Sequence, residues 1–409
     1  MKRLNLDRRL ITILVIVFVQ MAGAAMVLPI LPLFAQREFD LSPAVIAILI
    51  SSFFAAQFFA GPFLGRLSDQ YGRLPILILS QLGTAASFVV LALAGSAWML
   101  FVARVVDGVT GGNIIVAQAY ITDITPREKR TAALGYIFAI FGLGFIIGPA
   151  LGGVLSAAFG PRIPFLLAAG AAVVAVIMTV LFLEETVEQE QRTARRTRGK
   201  RLALADVTAN TPLLIILFIA FMGQAALGLI QSTFALYGEA VLFQGYDDEA
   251  VNLGVGLLLA AVGVGQLFTQ MALLERMLQR WHEIGLVYVG SGVRAGALFL
   301  FAVVASPWLG AAASLLFAVG QGLLMPSLQS LATETVDDET RGGVLGFYQS
   351  SVSLATIIST AIGGLLFEIG PTVPYWIGGM LAIVVLLPAL LLPRQLQGEH
   401  QPVENVQTS

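Results

Sequence analysis

Arg104 and Asp107 define the chemistry this chain can carry out inside its apolar segments. In RVVDGVTGGN they stand three residues apart, on one face of a helix. Asp107 lies about nine residues into an apolar run, which at about 1.5 Å per residue puts it near the middle of a bilayer. An ionisable group at that depth is costly and faces a bundle interior or a watery cavity. Beside a fixed guanidinium, such a carboxylate either forms a mutually neutralising structural pair or exchanges protons with the cavity. A second charged set, Arg66, Asp69 and Arg73, falls in GPFLGRLSDQYGRLP (61–75), between apolar runs at 45–64 and 75–93. There Gly65 and Gly72 permit a tight turn at the water boundary. Asp69 can accept hydrogen bonds from an adjacent helix N-terminus. Arg73 can pair with a carboxylate ending a neighbouring span.

The elements that position these groups follow from composition. The 409 residues are 57% hydrophobic and 12% charged, about half the charge of a soluble chain, which points to a lipid-embedded protein. Apolar runs near 10–34, 45–64, 75–94, 98–121, 131–156 and 163–183, then near 212–237, 251–274, 284–305, 308–330, 342–367 and 373–393, are each of crossing length. Single crossings of this kind are helical, because only a helix satisfies its own backbone in hydrocarbon. A membrane barrel would show shorter alternating segments. Lys2, Arg3, Arg8 and Arg9 precede the first run as in a leader, but the run continues to Phe34 and reads as an uncleaved span. The expected organisation is a first bundle over 1–183, a basic cytoplasmic linker over 184–208, a second bundle over 209–395 and a tail over 396–409.

Charge placement sets the orientation. With both termini inside, the cytoplasmic side receives the N-terminal charges, Arg66, Arg73, Arg127, Lys129, Arg130, the linker cluster, Arg276, Arg280, Arg341 and Arg394, against only Arg37 and Arg162 outside. The chain is therefore expected in a plasma (inner) membrane as a multi-pass monomer with cytoplasmic termini. The linker's basic run reads as a solvated connection rather than a nucleic-acid site. An offset of 211 relates Arg130 to Arg341, Gln118 to Gln329, Asp123 to Glu334 and Gly152-Gly153 to Gly363-Gly364, so the six-span unit is duplicated. RMLQRWHEIGL (276–286), at the same offset from the charged turn, keeps positive charge and lacks the Gly and Asp pattern.

With no cysteine, there is no disulfide and no thiolate chemistry. His282 and His400 fall in a loop and the tail, and neither a metal-ligand cluster nor a catalytic triad is visible. No cofactor or metal is expected, and no enzyme. No phosphate-binding G-x-x-x-x-G-K-[ST] loop occurs, so ATP is not the expected energy source. An ion gradient, most simply of protons, takes its place.

Three motifs carry a family resemblance over essentially the whole chain. G-x-L-x-D-x-x-G-R, here Gly65 to Arg73, resembles the signature loop between helices 2 and 3 of the major facilitator superfamily. Arg104, Gly108 and Gly111 match its fourth-helix motif R-x-x-x-G-x-x-G. Gly144, Gly148, Pro149, Gly152 and Gly153 match the G-x-x-x-G-P-x-x-G-G string of its drug:proton antiporter branch. TDITPREKRTAALGY and PSLQSLATETVDDETRGG resemble segments of tetracycline and multidrug efflux carriers. The resemblance implies an all-α membrane protein of twelve transmembrane helices in two pseudo-symmetric six-helix bundles, exporting lipophilic or amphipathic small molecules against protons by alternating access. It ties Arg104 to proton coupling, beside Asp107, which stands where the family often has a neutral residue and is the titrating carboxylate read from the residues themselves; gating falls to Gly65, Asp69, Gly72, Arg73, Asp123, Arg130 and Arg341. In that scheme Asp69 lies near Arg341–Val344 and Arg73 pairs with Asp123, which latches the halves in the outward-facing state.

Two features depart from the resemblance. The first span has no acidic residue, where some antiporters of this branch carry one, and the ninth carries Arg294 where tetracycline carriers have an acid. Polar and soft residues within the spans, among them Gln20, Met26, Asn113, Phe145, Gln224, Gln231, Phe234, Gln321 and Met325, are the candidate lining of a mostly apolar cavity. A metabolite or lysolipid carrier on the same scaffold and a non-transporting membrane sensor are the alternative readings.

Overall fold

Apolar segments fold as helices wherever the solvent offers no backbone partner, and among the described residues no strand occurs. The structure, a computed structural model, describes residues 8–111, 113–125, 130–186, 204–336 and 340–392. The linker's basic cluster and the tail lie outside these residues, as do the side chains of Asn113, Arg130 and Arg341.

In chain order the helices are α1 Arg8–Phe39, α2 Pro43–Tyr71, α3 Arg73–Ala92, α4 Ala97–Thr110, α5 Asn113–Ile124, α6 Arg130–Phe159 and α7 Arg162–Phe182. There follow a short α8 Leu204–Ala209, then α9 Thr211–Tyr237, α10 Asp248–Phe268, α11 Leu274–Val303, α12 Pro307–Glu334, α13 Arg341–Ile369, α14 Val373–Val384 and α15 Leu386–Ala389. Single π turns, Gly238–Leu242 and Thr269–Leu273, follow α9 and α10.

Among the described residues, ten helical stretches are long and apolar enough to cross a bilayer, and Val373–Ala389 is a shorter apolar one. One of the ten, Asp248–Val303, runs for 56 residues, about 84 Å at helical rise and well beyond one crossing. It turns at His282, whose backbone leaves the helix at φ 53° and ψ 176°.

The charged turn after α2 is far shorter than its composition suggests. Residues 61–71 continue α2, and α3 begins at Arg73. The reversal rests on Gly72 alone, at φ 107° and ψ 162°, a region close to glycine-only. Gly65 lies inside α2, where a Cβ would sit 3.9 Å from Ile115, so its backbone freedom is not used in the turn.

Helix pairing follows a repeated plan. α1 packs on α6 and α7, α3 on α4 and α7, and α2 on α4. In the second part α9 packs on α13 and α14, α11 on α12 and α14, and α10 on α12. The two sets meet through α2 against α13 and α6 against α10. Polar contacts between the sets gather toward the end where α1 finishes and α2 begins. Arg37 reaches Glu239 Oε1 at 2.7 Å and Asp248 Oδ1 at 3.3 Å, and its Nη1 donates to Asn252 Oδ1 at 3.3 Å. Asn252 Nδ2 donates to Ser156 Oγ at 3.1 Å, Ala44 N to Glu368 Oε1 at 3.2 Å and Ser51 Oγ to the Ile357 carbonyl at 2.8 Å.

Candidate functional site

Arg73 is the hub at the opposite end of the first helix set. It is 5% exposed and first in α3, so its position is set by the Gly72 corner. Its Nη1 lies 2.8 Å from Asp69 Oδ1 and donates to Ser68 Oγ at 2.7 Å, while Nε donates to Asp123 Oδ2 at 3.0 Å. Two carboxylates thus offset the desolvation of one buried cation, the condition under which such burial is tolerated. Asp69 is half exposed and serves Arg73 rather than a helix N-terminus. That role belongs to Glu185, just beyond α7, whose Oε1 accepts from the Arg73 amide at 2.8 Å and Oε2 from the Leu74 amide at 3.0 Å. A carboxylate over the first turn satisfies orphan donors and complements the helix dipole. No motif marks Glu185; its separation of 112 residues from Arg73 hides it in the sequence. The hub also draws in Tyr120, which donates to the Glu184 carbonyl at 3.0 Å, and Arg9, which pairs with Glu184.

The Arg73–Asp123 pair of the expected latch is in place at 3.0 Å. Asp69, Arg73 and Asp123 join α2, α3 and α5 within one helix set. Val344 is fully buried in a cluster with Leu213, Leu331 and Tyr348 of the other set. The side chain of Arg341 lies outside the described residues, as does that of Arg130.

The second constellation is on α4. Arg104 Nη1 and Asp107 Oδ2 are 2.8 Å apart, and both residues are buried. The Arg104 guanidinium carbon stands 4.1 Å from the Phe53 ring centroid of α2, a cation–π contact that strengthens away from water. Gly108 lets α2 come this close, since a Cβ there would lie 2.7 Å from the Ala56 methyl. Gln57 of α2 donates to the Gly111 carbonyl at 3.1 Å where α4 ends.

The glycine–proline string of α6 serves two contacts rather than one interface. A Cβ on Gly144, Gly148 or Gly152 would meet α1 within 2.8 Å, at Met21, at the Ala22 carbonyl and at the Met26 carbonyl. The every-fourth-residue stripe therefore seats α6 on α1, inside the first set. Contact with the second set falls to Gly153 and the Pro149 carbonyl, which face Gly256 of α10. A Gly256 Cβ would be 2.5 Å from that carbonyl and 2.9 Å from the Gly153 Cα.

The expected cavity residues differ in their surroundings. Phe234 lies in a buried aromatic cluster, 5.8 Å edge-on to Phe301. Gln20 and Met26 are buried on α1, Met26 against Gly152 of α6. Gln224 donates to Thr356 Oγ1 at 2.9 Å, a helix-joining bond. Gln231 and Met325 are half-buried on α9 and α12, Phe145 is exposed on α6, and Gln321 accepts from Arg294 Nη1 at 2.7 Å. Spacing could not reveal the last pair, which joins α11 to α12 across 27 residues. Among the described residues no cluster of metal ligands occurs.

The Major Facilitator Superfamily model matches residues 13–304 and 246–407. The chain is 30% identical over 392 residues to a tetracycline resistance protein, class H, of Pasteurella multocida, covering 95% of each chain. It is 27% identical to multidrug resistance protein 2 of Bacillus subtilis (strain 168), covering 90% of this chain and 91% of that one. Among solved structures it resembles a bacterial homologue of the human lysosomal transporter Spinster, with TM-score 0.77 at 15% identity over 96% of this chain and 98% of that one. A human organic anion transporter aligns with TM-score 0.68 at 18% identity, covering 95% and 100% of the two chains.

Proposed function

Because this chain belongs to the major facilitator superfamily and is a multi-pass membrane transporter, we propose that it is a proton-coupled exporter of lipophilic or amphipathic small molecules. The observation that carries the reading is the buried Arg104–Asp107 pair at 2.8 Å on an apolar helix. A carboxylate kept out of lipid beside a fixed cation can take up and release a proton as its access to water alternates. Relatives named for tetracycline and multidrug resistance, matched over most of the chain, support small-molecule export.

The finer architecture is part of this reading. The long Asp248–Val303 stretch counts as two crossings and Val373–Ala389 as one, which raises the ten stretches to twelve, and the repeated helix pairings support two six-helix bundles. Alternating access then swaps closure between the ends of the α2–α13 and α6–α10 contacts. The bonds around Arg37 close one end, which the distribution of positive charge assigns to the outside, with both termini in the cytoplasm of a plasma membrane. The Arg73 hub stiffens the cytoplasmic end of the first bundle.

The test is dye transport by purified protein in vesicles under an imposed pH gradient. Wild type accumulates dye against its gradient and Asp107→Asn does not, although it still equilibrates dye. Unchanged proton-driven accumulation by Asp107→Asn removes this carboxylate from the mechanism.

A further inference from the structure

Arg294 is the one fully buried arginine among the described residues, and no carboxylate there pairs with it. The contrast with the first helix set is direct. Arg73 has two carboxylates and Arg104 has Asp107 and the Phe53 ring. Arg294, on α11, has the amide oxygen of Gln321 on α12, which accepts from Nη1 at 2.7 Å. Its Nε and Nη2 have no partner. These two nitrogens form one edge of the guanidinium, with parallel N–H groups spaced to match the two oxygens of a carboxylate. An ion left this way in a low-dielectric interior is strongly penalised unless a counter-charge arrives.

Small and flexible groups pack against that edge. Gly223 of α9 has no side chain over it; a Cβ there would stand 3.5 Å from Arg294 Nη2, 3.3 Å from the Met325 methyl and 3.5 Å from Leu324 Cδ2. Met325 is half-buried, unbranched and easily rotated. Its backbone carbonyl and sulfur face the Tyr348 hydroxyl of α13 at 3.5 and 3.6 Å, so a polar donor stands beside Met325.

We infer that Arg294 is the anion subsite of the transport pathway: its Nε–Nη2 edge receives a carboxylate of the transported molecule beside Gly223 once the flexible Met325 side chain swings aside. The inference rests on the exporter reading and gives its substrate class as amphipathic compounds with an apolar body and one carboxylate. Gln321 fixes the guanidinium plane through Nη1 and leaves the opposite edge for the ligand. The bound carboxylate supplies the counter-charge that no described carboxylate gives Arg294.

The experiment uses full-length protein in detergent and a matched pair of probes, a xanthene dye bearing a free carboxylate and its methyl ester. Binding is read by fluorescence anisotropy and by the shift in melting temperature. Wild type is expected to bind the acid roughly tenfold more tightly than the ester, the scale of a charge-assisted bidentate pair. Arg294→Gln removes the preference, and Arg294→Lys retains part of it. Equal wild-type affinity for acid and ester, or an undiminished preference in Arg294→Gln, overturns the inference. The wild-type comparison stands even where a variant fails to fold. Proton-driven accumulation of the ester in vesicles is scored separately: its loss in wild type counts against the exporter reading, while the acid–ester ratio alone decides the subsite.

Discussion

Gly256→Ala is expected to loosen the end of the molecule where Arg37 bridges the two helix sets. The new methyl would stand 2.5 Å from the Pro149 carbonyl oxygen and 2.9 Å from the Gly153 Cα. A carbon–oxygen contact relaxes at about 3.3 Å or more, so α6 and α10 must part by about 0.8 Å at their crossing. Both neighbours are backbone atoms, not the tip of a flexible side chain that could step aside. Overpacking of this size costs about 1–3 kcal/mol, and the cost falls only on the state in which the two helices touch here. A bias of that size shifts a two-state equilibrium by about 5- to 150-fold. The chain has no cysteine, so a single introduced thiol reports without background. Leu33, 2% exposed and lining the cavity beside Arg37 and Asn252, is the reporter site as Leu33→Cys. Maleimide labelling there should accelerate in the Gly256→Ala background and stay unchanged with Gly170→Ala, whose Cβ meets nothing within 4 Å. A labelling rate within about twofold of the parent, or a slower one, would show that this crossing does not hold the closed end.

Two further substitutions probe the corners of the chain. Glu185→Gln replaces the carboxylate that accepts from the Arg73 and Leu74 amides. At about 1 kcal/mol for a lost cap, those amides should exchange hydrogen roughly fivefold faster, and unaltered exchange would reduce Glu185 to a bystander. His282→Gly relieves a side chain held at φ 53° and ψ 176°, a placement that costs a non-glycine residue about 1–3 kcal/mol. Melting of the variant in detergent should move upward, and a fall would mean that the imidazole makes up for its backbone.

Much of the fold was legible because hydrocarbon leaves the backbone few options. Apolar runs of crossing length read directly as helices, and the 211-residue offset anticipated the repeated pairing of α1–α6 with α9–α13. Arg104 and Asp107 could be placed on one face by spacing alone. What spacing could not give is which face meets which neighbour. Gly144, Gly148 and Gly152 form a stripe in any helix, yet only packing shows that the stripe meets α1 while the next residue, Gly153, meets α10. Phe234 reads as a soft liner in one dimension and is a core residue in three. Glu185 and Gln321 belong to no local pattern; each is fixed by a partner from a different helix. The signature turn misled for the opposite reason. Its polar letters suggest a loop, while a helix that extends past the hydrocarbon keeps its hydrogen bonds and needs only one residue to reverse.

That reversal has a mechanical counterpart. Gly72 and His282 occupy nearly equivalent points of the two repeats, and both hold positive φ with ψ beyond 160°. The G-x-L-x-D-x-x-G-R letters are gone around His282, but the bend survives them. A joint of a single residue has no slack, so neither rod at such a joint can tilt far without dragging the other. Helices α2 and α3, and likewise the two arms of the Asp248–Val303 stretch on either side of His282, should swing as coupled levers, and a spacer inserted at either joint would uncouple them without touching a charged group.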